Sequence, residues 1–130
     1  MYKRQIILLA TEREGKIGTF TTPREKFAPW QSVKGKEQRG VKAAILGIFN
    51  KDTFLELVRD FIVFQTTPKF TKLVAWDYQY DAIKEAIKRT LKAYRSEDRR
   101  IGVIFHSQGA GKSLEMVFYC LLYTSPSPRD

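Results

Sequence analysis

His106-Ser107-Gln108-Gly109-Ala110-Gly111-Lys112-Ser113 stands between an apolar run, Ile101-Gly102-Val103-Ile104-Phe105, and a helix-patterned stretch over 112–119. That order predicts an α/β fold. A phosphate-binding loop requires a buried parallel strand, a glycine-rich turn, and Lys-Ser or Lys-Thr opening a helix. The glycines let backbone N–H groups converge on phosphate with no Cβ in the way, and the helix N-terminus adds partial positive charge. In that reading Ser107, Gln108, Gly109, Ala110 and Gly111 form the cradle. Lys112 reaches the β and γ phosphates of ATP, and the Ser113 hydroxyl ligates the nucleotide's Mg2+. The consensus places glycine at position 106, where this chain has its one histidine. The alternative is an incidental glycine-rich turn. His106 itself reads as packed or hydrogen-bonded at the end of the strand, against a role as catalyst or metal ligand. No other residues complete a metal site or a catalytic triad.

Upstream of the loop, the spacing predicts a helix from about Tyr80 to Tyr94. Ile83, Ile87, Leu91 and Tyr94 form its core face, and Lys84, Glu85, Lys88 and Arg89 a solvated face. Gln79 opens this helix. A glutamine there can read both edges of adenine, because its amide donates and accepts; the other reading is packing at an aromatic-rich helix start. Lys72 to Trp76 reads as a short strand. Helices are predicted from Val41, with Val41, Ala44, Ile45 and Ile48 inward and Asn50 as a stop, and from a cap at Asp52 or Thr53, with Phe54, Leu57, Val58, Phe61 and Ile62 inward. The Pro- and Gly-containing stretch 23–40 reads as loop or linker. A hairpin is predicted from strand 5–12, a turn at Gly15 and strand 17–22.

The 130 residues carry 23 Lys+Arg against 14 Asp+Glu, a net charge of +9. This balance favours a polyanionic partner, nucleic acid first. The apolar fraction of 43% is enough for a core and argues against disorder. No apolar run approaches the ~18–20 residues of a membrane span, and the start is too short in apolar residues for a secretory signal. One cysteine, Cys120, excludes an intramolecular disulfide framework. The two ends break the pattern of the rest and resemble translated library-adapter sequence. Tyr2-Lys3-Arg4-Gln5 can be written TAT AAG AGA CAG, whose reverse complement, read one base along, gives TGT CTC TTA and the first two bases of TAC, matching Cys-Leu-Leu-Tyr at 120–123. Residues 1–5 and 120–130 are therefore expected to be non-native, and the chain a fragment of a longer protein. Without those ends the chain loses three basic residues and one acidic one and stays strongly basic.

Four blocks resemble the R (restriction and translocation) subunit of type I restriction enzymes. They are Lys16-Ile17-Gly18-Thr19-Phe20-Thr21 leading to Phe27-Ala28-Pro29-Trp30; 53–64; Val74-Ala75 with Tyr78-Gln79-Tyr80-Asp81-Ala82; and 98–119, which contains the loop. The family also favours His at the start of its phosphate loop. It departs at Trp76, where a basic residue is usual, and at Tyr78, where His is usual. The resemblance implies a fragment joining the end of a PD-(D/E)xK-type nuclease domain (6–40), through a helical connector (41–70), to the start of the first RecA-like superfamily 2 motor domain (71–119). It implies a cytoplasmic bacterial or archaeal enzyme that hydrolyses ATP with Mg2+ to pump duplex DNA past methylation and specificity subunits, then cuts at a distance. Gln79 takes the adenine role by that resemblance. The nuclease carboxylates would lie upstream and the acidic motor motif and arginine finger downstream, so the fragment is expected to hold no catalytic residue. The alternatives are another superfamily 2 or phosphate-loop ATPase, or a non-catalytic basic DNA-binding module.

Overall fold

A computed structural model describes residues 5–124. Of the two stretches expected to be adapter-encoded, 1–5 and 120–130, residues 1–4 and 125–130 lie outside the described residues. The chain divides into two compact units, one running through Tyr78 and the other starting at Gln79.

In the first unit, β1 (Ile7–Ala10) pairs antiparallel with β2 (Gly15–Gly18), which also pairs with β3 (Ala28–Pro29). The hairpin forms, but Gly15 is not its turn. The turn is closed by Thr11 and Glu14, with the Thr11 N–H donating to Glu14 O at 2.9 Å. Gly15 lies in the strand against α1 (Val41–Ile48), where a Cβ would come within 2.4 Å of Ala44 Cβ. Glycine here allows close approach of helix and strand. The second strand ends at Gly18 because Thr19 to Thr22 turn away and bond elsewhere. Thr19 Oγ1 and Thr21 Oγ1 donate to Lys72 O at 2.7 and 3.0 Å, stitching this turn to β7 (Thr71–Val74).

The stretch 23–40 is more structured than a linker. It carries a 3-10 turn (Arg24–Lys26), β3, and a small hairpin of β4 (Ser32–Val33) and β5 (Lys36–Glu37), turned by Lys34 and Gly35 at φ 51° and 76°. Trp30 is buried in this stretch and donates from Nε1 to Ser32 O at 2.7 Å. Helix α1 buries Ala43, Ala44, Gly47 and Ile48, a face rotated from the expected one, and Ile45 is exposed. Small residues win this contact because they bring the helix close to β2 and β4. Asn50 caps α2 (Lys51–Asp60), its side chain accepting from the N–H groups of Asp52 and Thr53 at 3.1 and 3.4 Å. Ile62 does not continue that helix. Ile62–Gln65 forms β6, antiparallel to β7, as its β-branched and aromatic residues favour. The unit's core is Ile17, Trp30, Ile48, Leu57 and Phe61, each almost fully buried. Burial of each such side chain is worth about 1.5–3 kcal/mol.

Helix α3 (Asp77–Arg95) starts before the expected position, with an acidic residue in its first turn. In the second unit it buries Ile83, Ala86, Thr90 and Ala93, while Leu91 and Tyr94 of the expected core face are exposed. The Thr90 hydroxyl explains part of the rotation: it lies 2.8 Å from Ala86 O and 2.6 Å from Tyr119 Oη on α4 (Lys112–Thr124). Helix α4 continues through Cys120, past the expected end at Tyr119, and buries Glu115 and Phe118.

The expected strand at 101–105 is absent. Val103 and Phe105 are 94% and 89% exposed. Every strand pairing among the described residues is antiparallel, so no parallel sheet is present there to receive this run. The fold is mixed α/β, and the parallel strand that a phosphate-binding loop calls for is not formed among the described residues. A single extended segment cannot satisfy its own backbone groups, and it becomes a strand only beside a partner.

Candidate functional site

The glycine-rich segment closes by local hydrogen bonds even without the strand. The Ala110 N–H donates to Ser107 O at 3.3 Å, making a turn over 107–110. Helix α4 then begins, with the N–H groups of Leu114 and Glu115 both donating to Gly111 O, at 3.0 and 3.2 Å. Gly109 and Gly111 sit at φ 82° and 79°, the left-handed region open to glycine and costly for residues with a Cβ. Left-handed residues alternating with other conformations turn successive N–H groups toward one concavity, the geometry that holds anions. Lys112 and Ser113 occupy the exposed first turn of α4, where the helix's own N–H groups have no intrahelical acceptor.

Gln79 lies beneath the loop, 2% exposed. Its Nε2 donates to Ala110 O and Gly111 O, 3.3 Å in each case. A Cβ on Gly111 would come within 2.5 Å of that nitrogen. Glycine is thus required at 111 for both its backbone angle and its contact. The Lys112 ammonium rests over the Phe105 ring, 6.0 Å from the centroid, a cation–π contact on an exposed aromatic.

His106 Nδ1 lies 2.7 Å from Glu115 Oε1, and Glu115 is 4% exposed. The sequence reading gave His106 a packing or hydrogen-bonding role but did not single out Glu115. A signal was present, because Glu115 lies three residues before the inward-facing Phe118 and so shares its helix face. In the first unit, Trp76 and Tyr78 meet edge to face at 5.7 Å.

The structure therefore brings Gln79, Ala110 and Gly111 into direct contact. It places Ser107, Gln108 and Gly109 on the exposed arc of the turn, and Lys112 and Ser113 at the helix start. Two left-handed glycines, an ammonium and a hydroxyl at a helix N-terminus form a donor set that fits a nucleotide's phosphates with their Mg2+. Among the described residues, no group of three His, Cys, Asp or Glu side chains could hold a metal ion. No described helix is long and apolar enough to cross a membrane.

Comparison with known proteins bears on the same region. A SWI2/SNF2 ATPase family model matches residues 78–128. The chain is 30% identical, over 88% of its length, to the putative type I restriction enzyme MjaIXP endonuclease subunit of Methanocaldococcus jannaschii, and covers 13% of that protein. It is 29% identical, again over 88% of its length, to the type I restriction enzyme HindI endonuclease subunit of Haemophilus influenzae, covering 12% of it. A second Methanocaldococcus jannaschii protein, the putative MjaVIIP endonuclease subunit, is 34% identical over 68% of the chain and is covered over 8% of its own length. The chain thus spans about an eighth of the length of the first two of these relatives. A helicase-type ATPase match at the glycine-rich loop agrees with relatives that are restriction endonuclease subunits, and the chain belongs to the family of type I restriction enzyme endonuclease (R) subunits.

Proposed function

We propose that this chain is the nucleotide-binding entry to the motor of an R subunit, with residues 6–40 from the end of the nuclease domain, 41–70 as connector and 71–119 as the start of the first RecA-like motor domain. The whole subunit would hydrolyse ATP, move along duplex DNA with the methylation and specificity subunits, and cut at a distance. The observation that carries this reading is the loop itself, with Gly109 and Gly111 left-handed between His106 and the start of α4.

In this reading the N–H groups of Gln108, Gly109, Gly111 and Lys112 receive the phosphates, the Ala110 N–H being held by Ser107 O. The Lys112 side chain leaves the Phe105 ring to neutralise them, and Ser113 Oγ ligates the Mg2+. Gln79 serves the adenine end by turning its amide from the carbonyls of Ala110 and Gly111, to which its Nε2 donates, toward the base. ATP, when bound, supplies the phosphoryl bond whose hydrolysis drives movement. No residue of the chain is assigned as a general base, so the chain alone is proposed to bind nucleotide without turning it over. The exposed run 101–105 is proposed to become the strand beside this loop once the rest of a parallel sheet is present.

Titration of the chain with Mg2+-ATP tests the site. Lys112→Ala should weaken binding at least about ten-fold, the scale of a lost charged hydrogen bond. Equal binding by the variant sinks the reading. In an intact subunit, ATPase activity should rise on adding duplex DNA; a rate indifferent to DNA sinks the translocase assignment.

A further inference from the structure

We propose that His106 and Glu115 form a clasp that holds residues 107–114 in their phosphate-binding shape, His106 acting as a positioning residue. This rests on the ATP reading above. The 2.7 Å contact joins the residue before the turn to the first turn and a half of α4, so it closes a ring around the loop. As a carboxylate, Glu115 only accepts, so His106 Nδ1 carries the hydrogen.

Two observations make the bond more than packing. Glu115 is 4% exposed, and a carboxylate that far from water needs a partner. The segment before the loop has no strand pairing, with Val103 and Phe105 exposed, so the backbone on that side gives the loop no ladder to hang from. Gln79 holds the Ala110 and Gly111 end, and the clasp holds the His106 end. Glycine at position 106, as in the consensus, could not supply this second anchor. A loop ordered before binding avoids the entropy loss on binding, and its apparent affinity rises with the fraction already competent.

The test uses the full chain without ligand, followed by amide hydrogen exchange at Gly109 to Lys112, then titrated with Mg2+-pyrophosphate and Mg2+-ATP. His106→Ala and Glu115→Ala should each speed exchange there about ten-fold and weaken both ligands by a similar factor, and the double variant should be no worse than either. His106→Asn, whose side-chain amide can donate from the Nδ1 position, should recover most of both effects. Unchanged exchange or unchanged affinity in His106→Ala overturns the clasp. So does His106→Asn behaving like His106→Ala, which would assign the effect to ring packing. Should the single variants lose helix content in circular dichroism, His106→Ala with Glu115→Leu leaves no unpaired carboxylate. It should show intact helix and a loosened loop, and a loop as slow to exchange as wild type overturns the proposal. If Lys112→Ala binds both ligands like wild type, the ATP reading fails and the clasp's phosphate role fails with it. Exchange measured without ligand distinguishes that outcome from failure of the clasp itself.

Discussion

Single residues carry different kinds of constraint within one loop. Gly109 and Gly111 share a left-handed φ, but a Cβ on Gly109 meets nothing within 4 Å, while one on Gly111 meets Gln79 Nε2 at 2.5 Å. Gly109→Ala should therefore cost only the backbone strain, about 1–2 kcal/mol. Gly111→Ala should cost more in urea unfolding and should also displace Gln79, read as weaker Mg2+-ATP binding. Equal costs would show that the Gln79 contact yields freely. The repeated glycines were legible as a loop, but the reason 111 is the stricter of the two was not, because Gln79 lies 32 residues away. Lys72 makes a different case. Its side chain is fully buried, donates from Nζ to Gln5 O, and is pushed below the usual lysine pKa by loss of water. The unfolded chain then holds that proton more tightly than the folded one, so stability rises with pH as it climbs through the folded pKa toward the ordinary value of about 10.4. Lys72→Met should flatten that alkaline rise and stabilise the chain at neutral pH, as urea unfolding across pH would show. A rise of the same slope in the variant assigns it to other groups.

At the scale of elements, the sequence located helices better than it oriented them. Apolar spacing found α1, α2, α3 and α4, and Ala44, Ile48 and Ile83 are buried as expected, but the buried faces of α1 and α3 also take in Ala43, Gly47, Ala86, Thr90 and Ala93, with Ile45, Leu91 and Tyr94 exposed. Hydrophobicity ranks large side chains first, whereas close contact selects small ones, and only the neighbour decides which rule applies. Phe49 closes α1, and Asn50, the expected stop, caps the start of α2. Its Oδ1 accepts from two N–H groups of α2, so Asn50→Ala should cost about 1 kcal/mol, measured as a fall in urea midpoint with unchanged slope. No change would place the cap at Asp52 or Thr53, as the spacing had suggested. Strand β6 was hidden because Ile62 and Phe61 continue the helical spacing of α2. Its identity depends on pairing with β7, and pairing between segments is not a local property.

At the scale of the whole molecule, the run 101–105 has the composition of a buried strand and lies in water. Val103→Ser should leave the stability of this chain within about 0.5 kcal/mol of wild type, as for any exposed site, whereas a packed core valine would cost several times more. Thermal and urea melts decide between them, and a large loss would show that 101–105 is packed after all. If the proposed motor assignment holds, the same substitution in an intact R subunit should be clearly destabilising.

The order of apolar run, glycine turn, Lys112-Ser113 and helix, the opening position of Gln79, and the likeness to R subunits were all determined by the sequence alone, because they depend on residue type and spacing. Only the tertiary structure decided that Gln79 holds the loop carbonyls, that His106 is joined to Glu115, and that 101–105 stands without a sheet. Each of these depends on what lies across from a residue in space. Local spacing fixes what a side chain can do, and the fold fixes which partner it does it with.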